Sequence, residues 1–201
     1  MIELKVLQAV RLKGRTTSAD IATTVGEGSD TVEAAVTTSV ASGHLIEGKT
    51  IRLSPEGRTR LSELLEAERQ SVDPEAIAAI YDKFRDVNAE FKALVSDWQL
   101  KDGVPNTHDD EKYDAAVLSR LDDVHRQVTP VIADVVTMIP RLAGYSEKLE
   151  TALAKVLAGD TVWLTRPIVD SYHTVWFELH EELILAAGLT REEEARAGHA
   201  Q

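Results

Sequence analysis

A chain of 201 residues, 43% apolar and 28% charged, has the length for one large domain or two small ones and the composition of an ordinary globular protein. It has no cysteine, which excludes disulfides, thiolate zinc sites and cysteine nucleophiles and fits a cytoplasmic location, and no apolar run approaches the roughly 20 residues of a membrane span. The formal charge of −12 is uneven, with a net −1 over residues 1–70 and −11 over the remainder, so any contact with nucleic acid is expected from the N-terminal part.

In chain order, Leu4, Val6, Leu7, Val10 and Leu12 recur at helical spacing and stop at Gly14. The amphipathic start carries no small-residue cleavage site, so it does not read as a signal peptide. Thr17 or Ser18 caps a short second helix that ends at Gly26. A third helix begins near Ser29 or Asp30, turns Val32, Val36 and Val40 inward, and ends at Gly43. Two short helices joined by a glycine-containing turn make a helix-turn-helix. Residues 44–46 and 51–53 then read as two strands around a tight turn. Ser54-Pro55-Glu56 opens the next helix, with Ser54 as cap and Pro55 at the first helical position.

Residues 42–65, SGHLIEGKTIRLSPEGRTRLSELL, resemble the wing and following helix of MarR-like winged-helix regulators. That pattern is a helix ending in glycine, a Leu-Ile strand, a short wing and a Leu-Ser/Thr-Pro-Glu-Gly step. The resemblance implies a winged helix-turn-helix over residues 1–70 and a transcription regulator that binds double-stranded DNA. Recognition helices read base edges with Arg, Lys, Asn or Gln. The helix in that position here, from Ser29 to Ser39, has none of these; it offers Thr31, Thr37 and Thr38, beside Asp30 and Glu33. The candidate phosphate contacts lie around it: Arg11, Lys13 and Arg15 at the first turn, and Lys49, Arg52, Arg58 and Arg60 on the wing and next helix. An ordinary surface of mixed charge is the alternative, because Glu47, Glu56 and Glu63 are interspersed.

Beyond a short linker at residues 70–74, Ile77, Ile80, Phe84, Val87, Phe91, Leu94 and Trp98 alternate in steps of three and four, a heptad seam on a helix from about 75 to 100. Gly103, Pro105 and Asn106 break it. A second long helix follows from about 109 to 139, with a kink expected near Arg126 from Pro130. A third opens at Pro140 and closes near Gly159; a fourth runs from about Pro167 to Ala187. The fold class is therefore mainly α: a winged helix-turn-helix with a small β-hairpin, then an antiparallel four-helix bundle at 74–190, and an acidic tail at 191–201 that need not be fixed. The long helices suit dimerisation, and a homodimer is the expected assembly.

On the fourth helix Asp170, His173, His180 and Glu181 share one stripe, and His125 with Asp122 on the second long helix completes a possible site for a divalent metal or an anionic ligand. Ala158-Gly159-Asp160 followed by Asp170-Ser171-Tyr172-His173 resembles part of the effector domain of GntR-type regulators, which implies a metal at Asp170 and His173, although here the two are three residues apart rather than four. The competing reading makes both histidines boundary residues of a helix face. No hydrolase triad, phosphate loop or dinucleotide fingerprint is present, so the chain does not read as an enzyme. Two functions stay open: a DNA-binding regulator with a helical dimerisation or effector domain, and an accessory subunit of an enzyme complex that docks proteins through both parts.

Overall fold

Helix-forming residues and well-placed caps dominate the chain, and the computed structural model, which describes residues 2–198, is mainly helical. It divides into two compact units between Val72 and Asp73.

The first unit runs α1 (Ile2–Lys13), α2 (Ser18–Val25), α3 (Ser29–Ala41), β1 (Leu45–Ile46), β2 (Arg52–Leu53) and α4 (Pro55–Arg69). Thr17 starts α2 through a capping box: its hydroxyl accepts from the Asp20 N–H, and the Asp20 carboxylate accepts from the Thr17 N–H, both at 3.2 Å. Gly26 ends α2 at φ 67°, where a side chain would be strained. The core gathers Leu4, Leu7, Val10, Ile21, Val32, Val36, Leu45, Leu53 and Leu61, one apolar face from every element. β1 and β2 pair antiparallel, Leu45 opposite Leu53 and Ile46 opposite Arg52.

The step from hairpin to α4 is tightly built. The Ser54 hydroxyl accepts from the Gly57 N–H at 2.8 Å, capping α4, and donates to the Gly43 carbonyl at 2.6 Å. Gly57 lies against the main chain of His44, where an added Cβ would fall 1.9 Å from the carbonyl oxygen. Only glycine fits there.

The second unit contains α5 (Pro74–Gln99), β3 (Leu100–Lys101), β4 (Val104–Pro105), α6 (Glu111–Met138), a 3-10 turn at Pro140–Leu142, α7 (Gly144–Leu157), α8 (Val162–Thr165), α9 (Tyr172–Ala186) and α10 (Arg191–Arg196). Asp73 caps α5 and Pro74 fills its first turn. The break expected at Gly103 is a β-hairpin: Asp102 and Gly103 both take positive φ, 53° and 80°, and join β3 to β4 through a two-residue turn. α6 continues through Pro130 as one helix.

α9 begins at Tyr172, five residues after the expected Pro167. The chain before it cannot be helical, because Ile168 sits at φ 75° and the Ser171 hydroxyl supplies the cap. α9 is also buried almost all round, with Tyr172, Val175, Trp176, Leu179 and Leu183 accompanied inside by Glu178, His180, Glu181 and Glu182. It keeps only a narrow exposed edge, at His173 and Phe177. Residues 191–196, in an acidic tail for which the sequence leaves both a helix and an unfixed segment open, form α10 on a second capping box, Thr190 with Glu193; residues 199–201 of that tail lie outside the described residues.

Two substitutions separate these backbone constraints from general packing. Gly57→Ala should lower stability by about 2 kcal/mol or more in urea denaturation, because backbone must move to admit the methyl group. Gly144→Ala, in the first turn of α7 with open space around it, should be neutral or stabilising. Ile168 is fully exposed, so Ile168→Asn should raise stability by about 1 kcal/mol through relief of left-handed strain alone. A loss of stability in this variant would show that the Ile168 side chain makes a contact that matters.

Candidate functional site

In the first unit an antiparallel bridge joins the segment between α1 and α2 to the hairpin. The Thr16 N–H donates to the Ile51 carbonyl at 3.2 Å and the Ile51 N–H returns to the Thr16 carbonyl at 2.8 Å. The bridge brings Arg15 and Arg52, its sequence neighbours, to the same edge of the hairpin, where Arg52 pairs with Ile46. Lys49 projects from the connecting loop, and all three cations are exposed. Among the described residues Arg15, Lys49, Arg52 and Arg58 make no ion pair. Like charges gathered at one edge repel, and no carboxylate is paired with either among the described residues.

The other sequence candidates are placed differently. Arg11 and Lys13 are half-buried in the last turn of α1. Arg60 is removed from the phosphate set: its Nε and Nη2 grip the Glu3 carboxylate at 3.0 and 2.9 Å, and Nη1 approaches Glu63 at 3.4 Å. This fork holds the Glu3 carboxyl below its ordinary range. Thr31 and Thr37 are exposed on α3, and Thr38 beside them donates its hydroxyl to the Ala34 carbonyl at 2.8 Å. The outer face of α3 thus consists of Asp30, Thr31, Glu33, Ala34, Thr37 and Thr38.

In the second unit the expected metal set is dispersed. Asp170 precedes α9 and lies 3.9 Å from Lys148. His125 on α6 meets the Tyr172 hydroxyl at 3.2 Å, and Asp122 pairs with Arg126. His173 is exposed against the Phe91 ring, His180 is turned to Tyr81, and Glu181 pairs with Arg191. Among the described residues no three His, Cys, Asp or Glu side chains stand close enough to share a metal ion. The helical spacing was real, but α9 is packed on several sides, and each polar group on it is drawn to a different neighbour.

What the structure assembles instead is a chain of hydrogen bonds that sequence reasoning missed. Arg85 on α5 grips the buried Glu194 carboxylate on α10 at 2.5 and 3.2 Å. Glu194 accepts the Tyr81 hydroxyl proton at 2.7 Å, and the Tyr81 oxygen lies 3.0 Å from His180 Nε2. Tyr81 has one proton and gives it to the carboxylate. His180 must therefore donate from Nε2, which leaves Nδ1 as an acceptor. Burial raises the Tyr81 phenol well above its ordinary range, helped by Glu194. Burial, with Arg191 adding to it, lowers the His180 imidazole to about 4.

His180 lines a cleft of about 100 Å³ between α5 and α9. Its apolar wall is Phe91, Trp176 and Phe177; its polar rim includes Lys92 and Arg191. The Trp176 indole N–H is held by Asn88 Oδ1 at 2.9 Å, and its ring lies against Phe91 with centroids 4.4 Å apart, so this wall is fixed before anything binds. Burial lowers the His173 and His125 imidazoles as well.

No protein-family model, no characterised protein and no solved structure matches this chain.

The lowered imidazole of His180 has a defined consequence. Its neutral form is the folded form, so its contribution to stability is complete above its unfolded value of about 6.5 and is lost as pH falls from there toward 4. Imidazole titration by NMR should place His180 near 4, with stability declining across that window. A midpoint near 6.5 would show that the imidazole is solvated and the chain through Tyr81 is open.

Proposed function

We propose that the first unit is a winged helix-turn-helix that binds duplex DNA, that α5, α6, α7 and α9 form a helical bundle serving dimerisation and effector sensing, and that the protein is a cytoplasmic transcription regulator. The observation that carries this reading is the exposed cluster Arg15, Lys49 and Arg52, gathered by the Thr16–Ile51 bridge with no carboxylate paired to it among the described residues. Cations gathered at the edge of a hairpin are relieved by a polyanion, and a hairpin tip follows a phosphate backbone. Arg58 extends the basic surface onto α4.

α3 adds shape and methyl contacts rather than bidentate base readout, since its outer face offers threonines and alanine but no Arg, Lys, Asn or Gln. Affinity in this reading is mainly electrostatic and discrimination between sequences is modest. The long α5 and α6 helices suit a two-fold dimer that would present two hairpins to one duplex.

A second reading is favoured by one observation. Asp30 and Glu33 give the exposed face of α3 a negative character that suits a basic protein surface, which fits an accessory subunit that docks proteins.

Fluorescence anisotropy separates the two, with a duplex from the protein's own upstream region and a scrambled duplex, titrated across a salt series. Each phosphate neutralised should contribute a slope of about −0.9 in log K against log salt. Arg52→Ala should weaken binding to both duplexes and reduce the slope by about 1. Arg60→Ala, whose side chain is committed to Glu3, should leave the slope unchanged. Absence of binding at low salt overturns the DNA reading and leaves protein docking.

A further inference from the structure

We infer that the cleft between α5 and α9 is a binding site for a small aromatic carboxylate that also carries a hydrogen-bond donor. The inference stands on the second unit alone and does not depend on what the first unit binds.

Three independent features converge on this chemistry. The first is an unused acceptor. His180 is only 6% exposed, its Nε2 is committed to Tyr81, and its Nδ1 has no partner among the described residues. That atom is not sealed inside the protein either, and the surface His180 retains is the cleft lining. An acceptor that only cleft water reaches is free to take a ligand donor in place of that water. Burial keeps this imidazole neutral at physiological pH, and the Arg85–Glu194–Tyr81 chain holds it in the tautomer that accepts.

The second feature is charge. Lys92 and Arg191 both border the cleft and both disfavour the protonated form of His180, so both act at the same place. Arg191 is paired with Glu181, while Lys92 donates to the Gly198 carbonyl at 3.1 Å. Arg191 is balanced by Glu181 and Glu194 by Arg85, which leaves Lys92 as the positive charge in excess around His180. In a unit whose net charge is strongly negative, a local positive excess against an apolar wall selects a monoanion.

The third is the wall itself. Phe91, Trp176 and Phe177 offer ring surfaces, and the Arg191 guanidinium already lies over the Phe177 ring, 4.5 Å from its centroid. Trp176 cannot turn away, because Asn88 holds its indole N–H. A flat ring fits this surface and an extended aliphatic chain does not fill it. The small volume limits the occupant to about one ring with its substituents.

In the bound state the ring lies against Trp176 and Phe91, the carboxylate takes Lys92 and Arg191, and the ligand O–H or N–H donates to His180 Nδ1. Arg191 is the first residue of α10 and Glu194 lies one turn further on, so the ligand and the buried hydrogen-bond chain hold the same helix.

The test uses the full-length protein with 3- and 4-hydroxybenzoate as probes, followed by calorimetry and ligand-observed NMR. Molecules of this size should bind with a dissociation constant on the order of 0.1–1 mM. Benzoate, which lacks the donor, should bind about fivefold more weakly than the better isomer, and 4-hydroxybenzamide, which lacks the charge, about tenfold more weakly. Lys92→Ala should abolish the preference for carboxylate over amide, while Lys83→Ala, paired with Asp134 elsewhere on α5, should not. Far-UV circular dichroism confirms that both variants are folded. Because the ligand series is read on the unaltered protein, the result does not depend on any variant folding. No binding by either isomer at about 10 mM overturns the site. Equal affinity for benzoate overturns the role of His180, and binding unaffected by Lys92→Ala places the ligand elsewhere and overturns the assignment.

Discussion

The arrangement of the first unit depends on one close contact, the packing of Gly57 onto the main chain of His44. It brings the start of α4 against the turn that ends α3, and the Ser54 hydroxyl locks the approach by serving both sides of it. A hydroxyl that accepts from one segment and donates to another satisfies two backbone groups with one small side chain. Between α3 and α4 the chain forms the β1–β2 hairpin, and Ile51 in it bridges Thr16. The exposed cation pair Arg15 and Arg52 is a consequence of that geometry.

The second unit depends on charge taken inside and paired. Glu194 lies buried between Arg85 and Tyr81, and Glu182 meets Arg141 at 2.7 Å with both side chains nearly inaccessible. Pairs of this kind add little net stability relative to apolar residues, yet removing one partner is costly. Their effect is to specify which helix packs where. α10 is short and acidic, and it is held by these bonds more than by apolar area. Its position therefore depends on the same tyrosine that sets the His180 tautomer, and the cleft and the C-terminal helix share one hydrogen-bond network.

Much of the fold is legible in the sequence because it is written in local chemistry. Gly14, Gly26 and Gly43 mark helix ends, and Ser54-Pro55 and Asp73-Pro74 mark helix starts, each by a mechanism that needs no distant partner. Two local signals were equally available and carry elements the periodicity did not reveal. Asp102-Gly103 is the dipeptide of a two-residue hairpin, and Thr190 with Glu193 is a capping box. The start of α9 was not legible, since nothing in residues 167–170 announces a left-handed isoleucine. The candidate sites were legible in part. Arg15, Lys49 and Arg52 were each named, but their gathering requires the long-range Thr16–Ile51 bridge. Arg60 looked equivalent until Glu3, 57 residues away in sequence, was placed beside it. The stripe on α9 had the spacing of a ligand set, but tertiary packing sent its members to separate partners, and Tyr81, one step off the apolar seam of α5, became the group that matters.

The first unit carries an exposed basic hairpin edge, and the outer face of its α3 has no Arg, Lys, Asn or Gln. The proposed DNA reading puts most of the contact on the hairpin edge and the lesser part on the face of α3. The most direct measurement is amide chemical-shift mapping of the full-length protein on titration with a short duplex at low salt. The account expects the largest changes at Arg15, Lys49 and Arg52 and their strand neighbours, with smaller changes along α3. Changes confined to the second unit, or none at all, would contradict it.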